Sequence, residues 1–175
     1  MDGFIRAVRY ASRVTGVVAA LLIALAVLVI CDMVVERYGL NRTTIWQIDV
    51  VTYCIVAATF IGSPYVLLHR GHVNVDILPL WLPPRARFWL ALFTMVLSIA
   101  FLIALWWLTT RFWYESYSEN WKSNTVWRAR LWIPYLSMPV GLGLLVLQYV
   151  VEIVALVTGR APPFGLDENG RRAHV

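Results

Sequence analysis

The sequence predicts an all-α membrane protein with four transmembrane helices, and two observations predict this fold class. Of the 175 residues, 60% are hydrophobic and only 14% are charged, so the chain is far more apolar than a soluble domain. The apolar residues form four runs of 18 or more residues with at most one charge each. A helix of that length crosses a hydrocarbon core of ~30 Å, allowing for frayed ends. The predicted spans are about 14–35, 49–68, 88–110 and 133–157.

These spans occupy most of the chain, so we expect one membrane domain over 1–159 and a polar cytoplasmic tail over 160–175. The first apolar run is too long for the core of a signal peptide and ends without a small-residue cleavage site, which predicts a retained helix. Arg6, Arg9 and Arg13 precede it on one helical face. They indicate either a short interfacial helix at the N-terminus or simply a basic flank that sets orientation.

The distribution of basic residues predicts the orientation of the chain. Nine Lys and Arg residues lie in the N-terminal flank, the second loop and the tail, against six in the first and third loops. Cytoplasmic segments carry the excess of positive charge, so we expect both termini in the cytoplasm. The basic residues form no single tract, so the net charge of +5 does not indicate a nucleic-acid-binding surface.

The later spans contain residues that bend or narrow a helix. Pro64 lies inside the second span, and the fourth opens with Pro134 and Pro139, followed by Gly141 and Gly143. Pro64 predicts a tolerated kink, and the small and kinking residues of the fourth span predict a close helix crossing. The third loop is rich in Trp and Tyr, which predicts that it lies at the membrane surface.

Few residues could carry chemistry. His69, His72 and Asp76 could share one face of an unbroken helix and bind a metal. Gly71 and the prolines that follow favour a structural corner instead. Cys31 and Cys54 could form a disulfide, but two reduced, buried side chains fit the spacing better.

Glu152 lies in the last third of the fourth predicted span, whereas Asp32 and Asp49 lie near the ends of theirs. A carboxylate at the bilayer centre is costly, so such a group faces a partner or extends to the interface. Glu152 lies only about five residues from the end of its span. Its side chain therefore either reaches the cytoplasmic interface or contacts another subunit.

Several motifs together resemble a known family. They are ERYGL (36–40), TIWQIDVVTYC (44–54), FIGSPYVLLHRGHVNVDIL (60–78) and LWIPYLSMPVGLGLLVLQYV (131–150). In this order they resemble the small permease subunit, of the DctQ type, of tripartite ATP-independent periplasmic (TRAP) transporters. The residues that carry the resemblance are Arg37, Tyr38, Trp46, Asp49, Gly71, His72 and Asp76. In that family the Trp is typically followed by two adjacent acidic residues, and here those places hold Ile48 and Asp49.

The resemblance implies a non-catalytic scaffold without a cofactor in a bacterial inner membrane. Its implied partners are a large permease subunit, a periplasmic substrate-binding protein and membrane lipids, in a sodium-coupled transporter for organic acids. Pro134 and Glu152 join the resembling residues as candidate structural or subunit-interface positions. The alternative function is a membrane redox or metal-binding four-helix anchor protein that uses His69, His72 and Asp76.

Overall fold

A computed structural model describes residues 2–68 and 83–158. Four of its helices are long and apolar enough to cross a membrane, which confirms the predicted fold class. The elements are α1 (Asp2–Val34), a π-helical turn (Val35–Gly39), α2 (Gln47–Leu68), α3 (Pro84–Ser118), α4 (Trp132–Tyr135) and α5 (Ser137–Val157). The described part contains no strand, only an isolated β-bridge between Lys122 and Arg130.

Helix α1 differs from the prediction at its N-terminal end. It begins at Asp2 and runs unbroken to Val34, so residues 2–13 are its first turns rather than a separate interfacial helix. No proline interrupts this segment. The hydroxyl of Thr15 donates to the carbonyl of Ser12 (2.9 Å) within the helix, and Ser12 itself is buried. Packing therefore holds the basic flank in line with the first span.

Helix α3 extends beyond its predicted span at both ends. Its 35 residues reach about 52 Å at 1.5 Å per residue, well beyond the thickness of a hydrocarbon core. The helix ends where Asn120 adopts a left-handed conformation (φ 52°), which asparagine tolerates better than most residues and which commonly terminates a helix.

The predicted fourth span consists of two helices in line, α4 and α5, joined at Leu136. Proline lacks a backbone N–H and interrupts the hydrogen bonds of a helix interior, and this stretch contains Pro134 and Pro139. The Ser137 hydroxyl donates to the carbonyl of Pro134 (2.6 Å). The two helices follow in line, and together they form one candidate membrane span, Trp132–Val157.

The four spans form an open layer in the order α1, α2, α5, α3. Helix α1 packs mainly on α2, α2 on α5, and α5 on α3, while α1 also touches α5. Small buried side chains line the first of these contacts, among them Ala19 and Ala26 on α1 and Ala58 on α2. Close approach through small residues is how membrane helices gain packing without a hydrophobic driving force.

Gly141 and Gly143 lie at the tightest crossings of α5, which confirms the prediction made from them. A Cβ atom at Gly141 would overlap the backbone carbonyl of Phe60 on α2, and one at Gly143 would lie 3.1 Å from Nε1 of Trp106 on α3. The same Trp106 indole donates to the carbonyl of Pro139 (3.0 Å). The glycines therefore allow α5 to approach both of its neighbours.

Helix α3 lies at an edge of the layer, with α5 as its main neighbour. It exposes a row of large apolar side chains spaced four residues apart, which we call the α3 row: Trp89, Phe93, Leu97 and Phe101. Such a row in a spanning helix faces lipid or another protein.

Candidate functional site

The polar side chains concentrate at the two ends of the layer. The loop end carries the π-helical turn, the start of α2 and the connection 119–131. The terminal end carries the start of α1 and the end of α5. Most of the candidate residues that the structure describes lie at the loop end.

Gln47 joins α1 to α2 at the loop end. Its side chain is 1% exposed, and its Oε1 accepts hydrogen bonds from the backbone N–H groups of Ile45 (3.1 Å) and Trp46 (3.3 Å). Its Nε2 donates to Oε2 of Glu36 (2.6 Å), which lies in the π-helical turn. One buried amide thus satisfies the backbone ahead of α2 and ties it to the end of α1.

Asp49 holds the connection 119–131 against α2. Its side chain is 8% exposed and accepts a hydrogen bond from the hydroxyl of Thr125, 76 residues away in sequence. One turn further along α2, Tyr53 interacts with the side chain of Ser123. Asp49 therefore anchors this loop to α2 through a contact between segments that are far apart in sequence.

The anchored loop is a short hairpin, which we define as residues 121–131. The backbone N–H of Ser123 donates to the carbonyl of Ala129 (2.8 Å), and that of Leu131 donates to the carbonyl of Trp121 (3.0 Å). Arg128 closes the turn in a left-handed conformation (φ 50°), which costs energy for a residue other than glycine. Val126 beside it is 83% exposed. The hairpin therefore exposes an apolar side chain, Val126, at its tip.

The other candidate residues of the first loop lie on the surface. Tyr38 is 79% exposed, Trp46 is 41% exposed and Arg37 is also exposed, whereas Asp49 faces inward. Ile48, which occupies the place of the second acidic residue in the resembling family, is 58% exposed. A carboxylate at position 48 would therefore lie on the surface, so its absence leaves the buried contact of Asp49 intact.

Aromatic side chains fasten α3 to α4 beside the hairpin. The Trp113 indole donates to the carbonyl of Trp132 (3.1 Å), and the ring of Tyr117 meets that of Trp132 edge-on, with 5.7 Å between centroids. The rings of Phe112 and Tyr135 lie 5.0 Å apart. These contacts bring the candidate Pro134, which is buried, into the packed end of the layer.

Glu152 lies at the terminal end in a buried polar chain. The hydroxyl of Ser12 on α1 donates to Oε1 of Gln148 (3.0 Å), and Nε2 of Gln148 donates to Oε1 of Glu152 (3.4 Å). Ser12 and Gln148 are 2% and 0% exposed, and Glu152 is half-buried. Glu152 thus has a partner within its own helix, an arrangement that neither of the two interpretations of the sequence included.

Sequence reasoning missed Gln47, Thr125 and Ser12. Gln47 had a usable signal, because it is a polar residue immediately ahead of an apolar run. Thr125 and Ser12 had none, because each finds its partner 76 or 136 residues away along the chain.

The described residues include no group of three or more His, Cys, Asp and Glu side chains that could hold a metal ion. Gly71, His72 and Asp76, together with His69, lie outside the described residues. Cys31 and Cys54 are both free in the structure, and Cys54 is buried as expected, whereas the burial expected for Cys31 is wrong because its side chain is exposed. The two polar clusters hold helices and loops together.

Comparisons with known proteins agree with the resemblance. The family model described as "Tripartite ATP-independent periplasmic transporters, DctQ component" matches residues 26–159. The chain is 24% identical over 148 residues to the C4-dicarboxylate TRAP transporter small permease protein DctQ of Vibrio cholerae serotype O1 (strain ATCC 39315 / El Tor Inaba N16961). That alignment covers 73% of this chain and 64% of the relative, so the chain spans less than two thirds of the relative's length. No solved structure matches the chain.

Proposed function

Because the chain belongs to the DctQ family of TRAP transporter components, we propose that it is the small, non-catalytic scaffold subunit of a binding-protein-dependent secondary transporter. In this role it packs against a large permease subunit in the inner membrane, with both termini in the cytoplasm. The large subunit moves the substrate, an organic acid, together with sodium. A periplasmic binding protein delivers that substrate to the loop end.

The observation that carries this proposal is the open layer of spans in a member of this family. Helix α3 packs mainly on α5 and leaves the α3 row exposed. Large aromatic residues are enriched in the buried parts of protein interfaces, and this row contains Trp89, Phe93 and Phe101. We therefore assign the α3 row as the surface that meets the large subunit.

The way the layer is held together supports a static role. Hydrogen bonds between different parts of the chain tie the layer at both ends, through Gln47 and Asp49 at the loop end and Ser12 at the terminal end. Tight crossings at Gly141 and Gly143 hold its middle. A layer fixed at three levels suits a wall against which a moving transport domain slides.

Transport by the reconstituted complex tests the proposed function. This chain, its large permease and the binding protein are placed in proteoliposomes, and uptake of a radiolabelled C4-dicarboxylate is measured with and without a sodium gradient. We expect uptake only with all three proteins and an inward sodium gradient. Uptake by this chain alone, or undiminished uptake when it is left out, would contradict the scaffold role.

The location of the interface needs a separate test. We expect Phe93→Ala combined with Phe101→Ala to reduce the amount of large subunit that co-purifies with this chain. A matched control truncates Leu21 and Leu28, which are equally exposed on α1 at the other edge of the layer. If only the α1 truncations reduce co-purification, the large subunit binds the opposite edge and the assignment of the α3 row is wrong.

A further inference from the structure

The first turns of α1 carry three arginines that the proposed function does not use. Arg6, Arg9 and Arg13 are separated by three and four residues, so they share one helical face, and all three side chains are exposed. We call them the arginine row. Val8 and Ser12, on a different side of the same turns, are buried. The helix therefore has a packed side and a basic side at this end.

The arginine row is fixed in position relative to the membrane. The hydrogen bond from Ser12 to Gln148 joins these turns to α5, whose neighbouring residues Val151 and Ala155 are buried. The continuous helix places Arg13 one residue, and Arg6 eight residues, before the apolar run that starts at Val14. At 1.5 Å per residue these positions lie roughly 2 to 12 Å outside the hydrocarbon, at the level of lipid headgroups.

The acidic side chain of α5 has a hydrogen-bond partner in its own helix. This residue, Glu152, is half-buried and accepts a hydrogen bond from Gln148. Tyr10, between the arginines, is 71% exposed, and tyrosine commonly lies at the membrane interface with its ring in the apolar region and its hydroxyl toward water.

We propose that the arginine row binds the phosphate groups of anionic phospholipids in the adjacent leaflet. Guanidinium groups bind phosphate oxygens through paired, charge-assisted hydrogen bonds. Three arginines held at headgroup depth by a rigid helix bind such phosphates without an ordering cost for the backbone. The surface selects anionic over zwitterionic lipid, because the zwitterionic headgroup brings its own cation to the phosphate.

Lipid binding to the purified full chain tests this proposal. Native mass spectrometry measures the affinity for phosphatidylglycerol and for phosphatidylcholine with the same acyl chains. The test variant is Arg6→Gln with Arg9→Gln and Arg13→Gln. The control variant is Lys122→Gln with Arg128→Gln and Arg130→Gln, which removes the same charge from exposed positions at the loop end. Helical content from circular dichroism checks that both variants fold.

We expect wild type to prefer phosphatidylglycerol. In the test variant the ratio of the two lipid affinities should fall by at least about tenfold, and loss of three basic residues sets an upper limit of about 150-fold. In the control variant this ratio should change by less than about twofold. Equal losses in both variants would show that only overall charge matters and would overturn the proposal. So would equal affinity of wild type for the two lipids, or displacement of the bound lipid by millimolar inorganic phosphate. None of these outcomes depends on the large permease, so they are distinct from a failure of the proposed transport function.

Discussion

Replacing Gly141 with alanine tests whether backbone contact holds α2 and α5 together. The added Cβ would overlap the carbonyl of Phe60, and a backbone oxygen cannot rotate away as a flexible side chain can. The two helices must then separate or tilt. Overpacking a tight interior costs about 1–3 kcal/mol, and contact with backbone puts Gly141→Ala in the upper half of that range.

A second effect of the same substitution acts in the opposite direction. Alanine favours the helix over glycine by up to about 1 kcal/mol, so the net loss of stability should be about 1–2 kcal/mol. Gly3 provides the matched control, because a Cβ there meets nothing within 4 Å. We expect Gly3→Ala to be neutral or slightly stabilising. The difference between the two variants isolates the contact with Phe60.

Unfolding of the purified chain in mixed micelles by a denaturing detergent, followed by circular dichroism, gives the free energies of unfolding. Gly143→Ala adds a rank test. Its Cβ would lie 3.1 Å from the Trp106 indole, a side chain that can move. The loss of stability in Gly143→Ala should therefore lie between those of Gly3→Ala and Gly141→Ala. The reasoning is refuted if Gly141→Ala is as stable as Gly3→Ala, or if Gly143→Ala is the more damaging of the two α5 variants.

Three further predictions concern single hydrogen bonds. Asp49→Ala should free the hairpin and speed hydrogen exchange at 121–131. Thr125→Val should do the same, and the double variant should add nothing; additive effects would mean that the two residues act separately. Ser12→Ala should lower the free energy of unfolding by about 0.6–1.7 kcal/mol. A double-mutant cycle with Gln148→Leu measures the coupling between the two side chains, and a coupling energy near zero would contradict the buried contact. Trp106→Phe removes the hydrogen-bond donor to Pro139 but keeps an aromatic ring, so it should lower the free energy of unfolding by about 1 kcal/mol. An unchanged free energy of unfolding would show that packing alone holds α3.

The number and type of the helices could be read from the sequence because spanning a membrane imposes a length and an apolar composition. The ends of the helices could not. The start of α1 depends on Ser12 meeting Gln148, and the far end of α3 lies among charged and aromatic residues that continue a helix as readily as they end one. Hydropathy marks where the membrane is, and a helix can continue past that boundary.

The order of the helices in the layer was not predictable for a related reason. Residues that face lipid and residues that face another helix are both apolar, so Phe93 and Leu142 look alike in the sequence although the first is exposed and the second buried. Glycine breaks this equivalence, which is why the crossings at Gly141 and Gly143 were predicted correctly. Asp49 was identifiable as a polar residue at a helix start, but its partner Thr125 lies in a loop with no distinguishing pattern.

The positions of the polar contacts explain how a thin layer keeps one shape. In lipid, apolar burial does not hold helices together, because the acyl chains are as apolar as the side chains. The layer instead relies on backbone approach at Gly141 and on hydrogen bonds that cross between elements at both ends, through Gln47 and Ser12. These contacts use only one side of each edge helix. The broad faces and the α3 row therefore contribute little to the fold of the chain itself. They can be apolar and bind a partner or lipid without weakening the contacts that hold the chain folded.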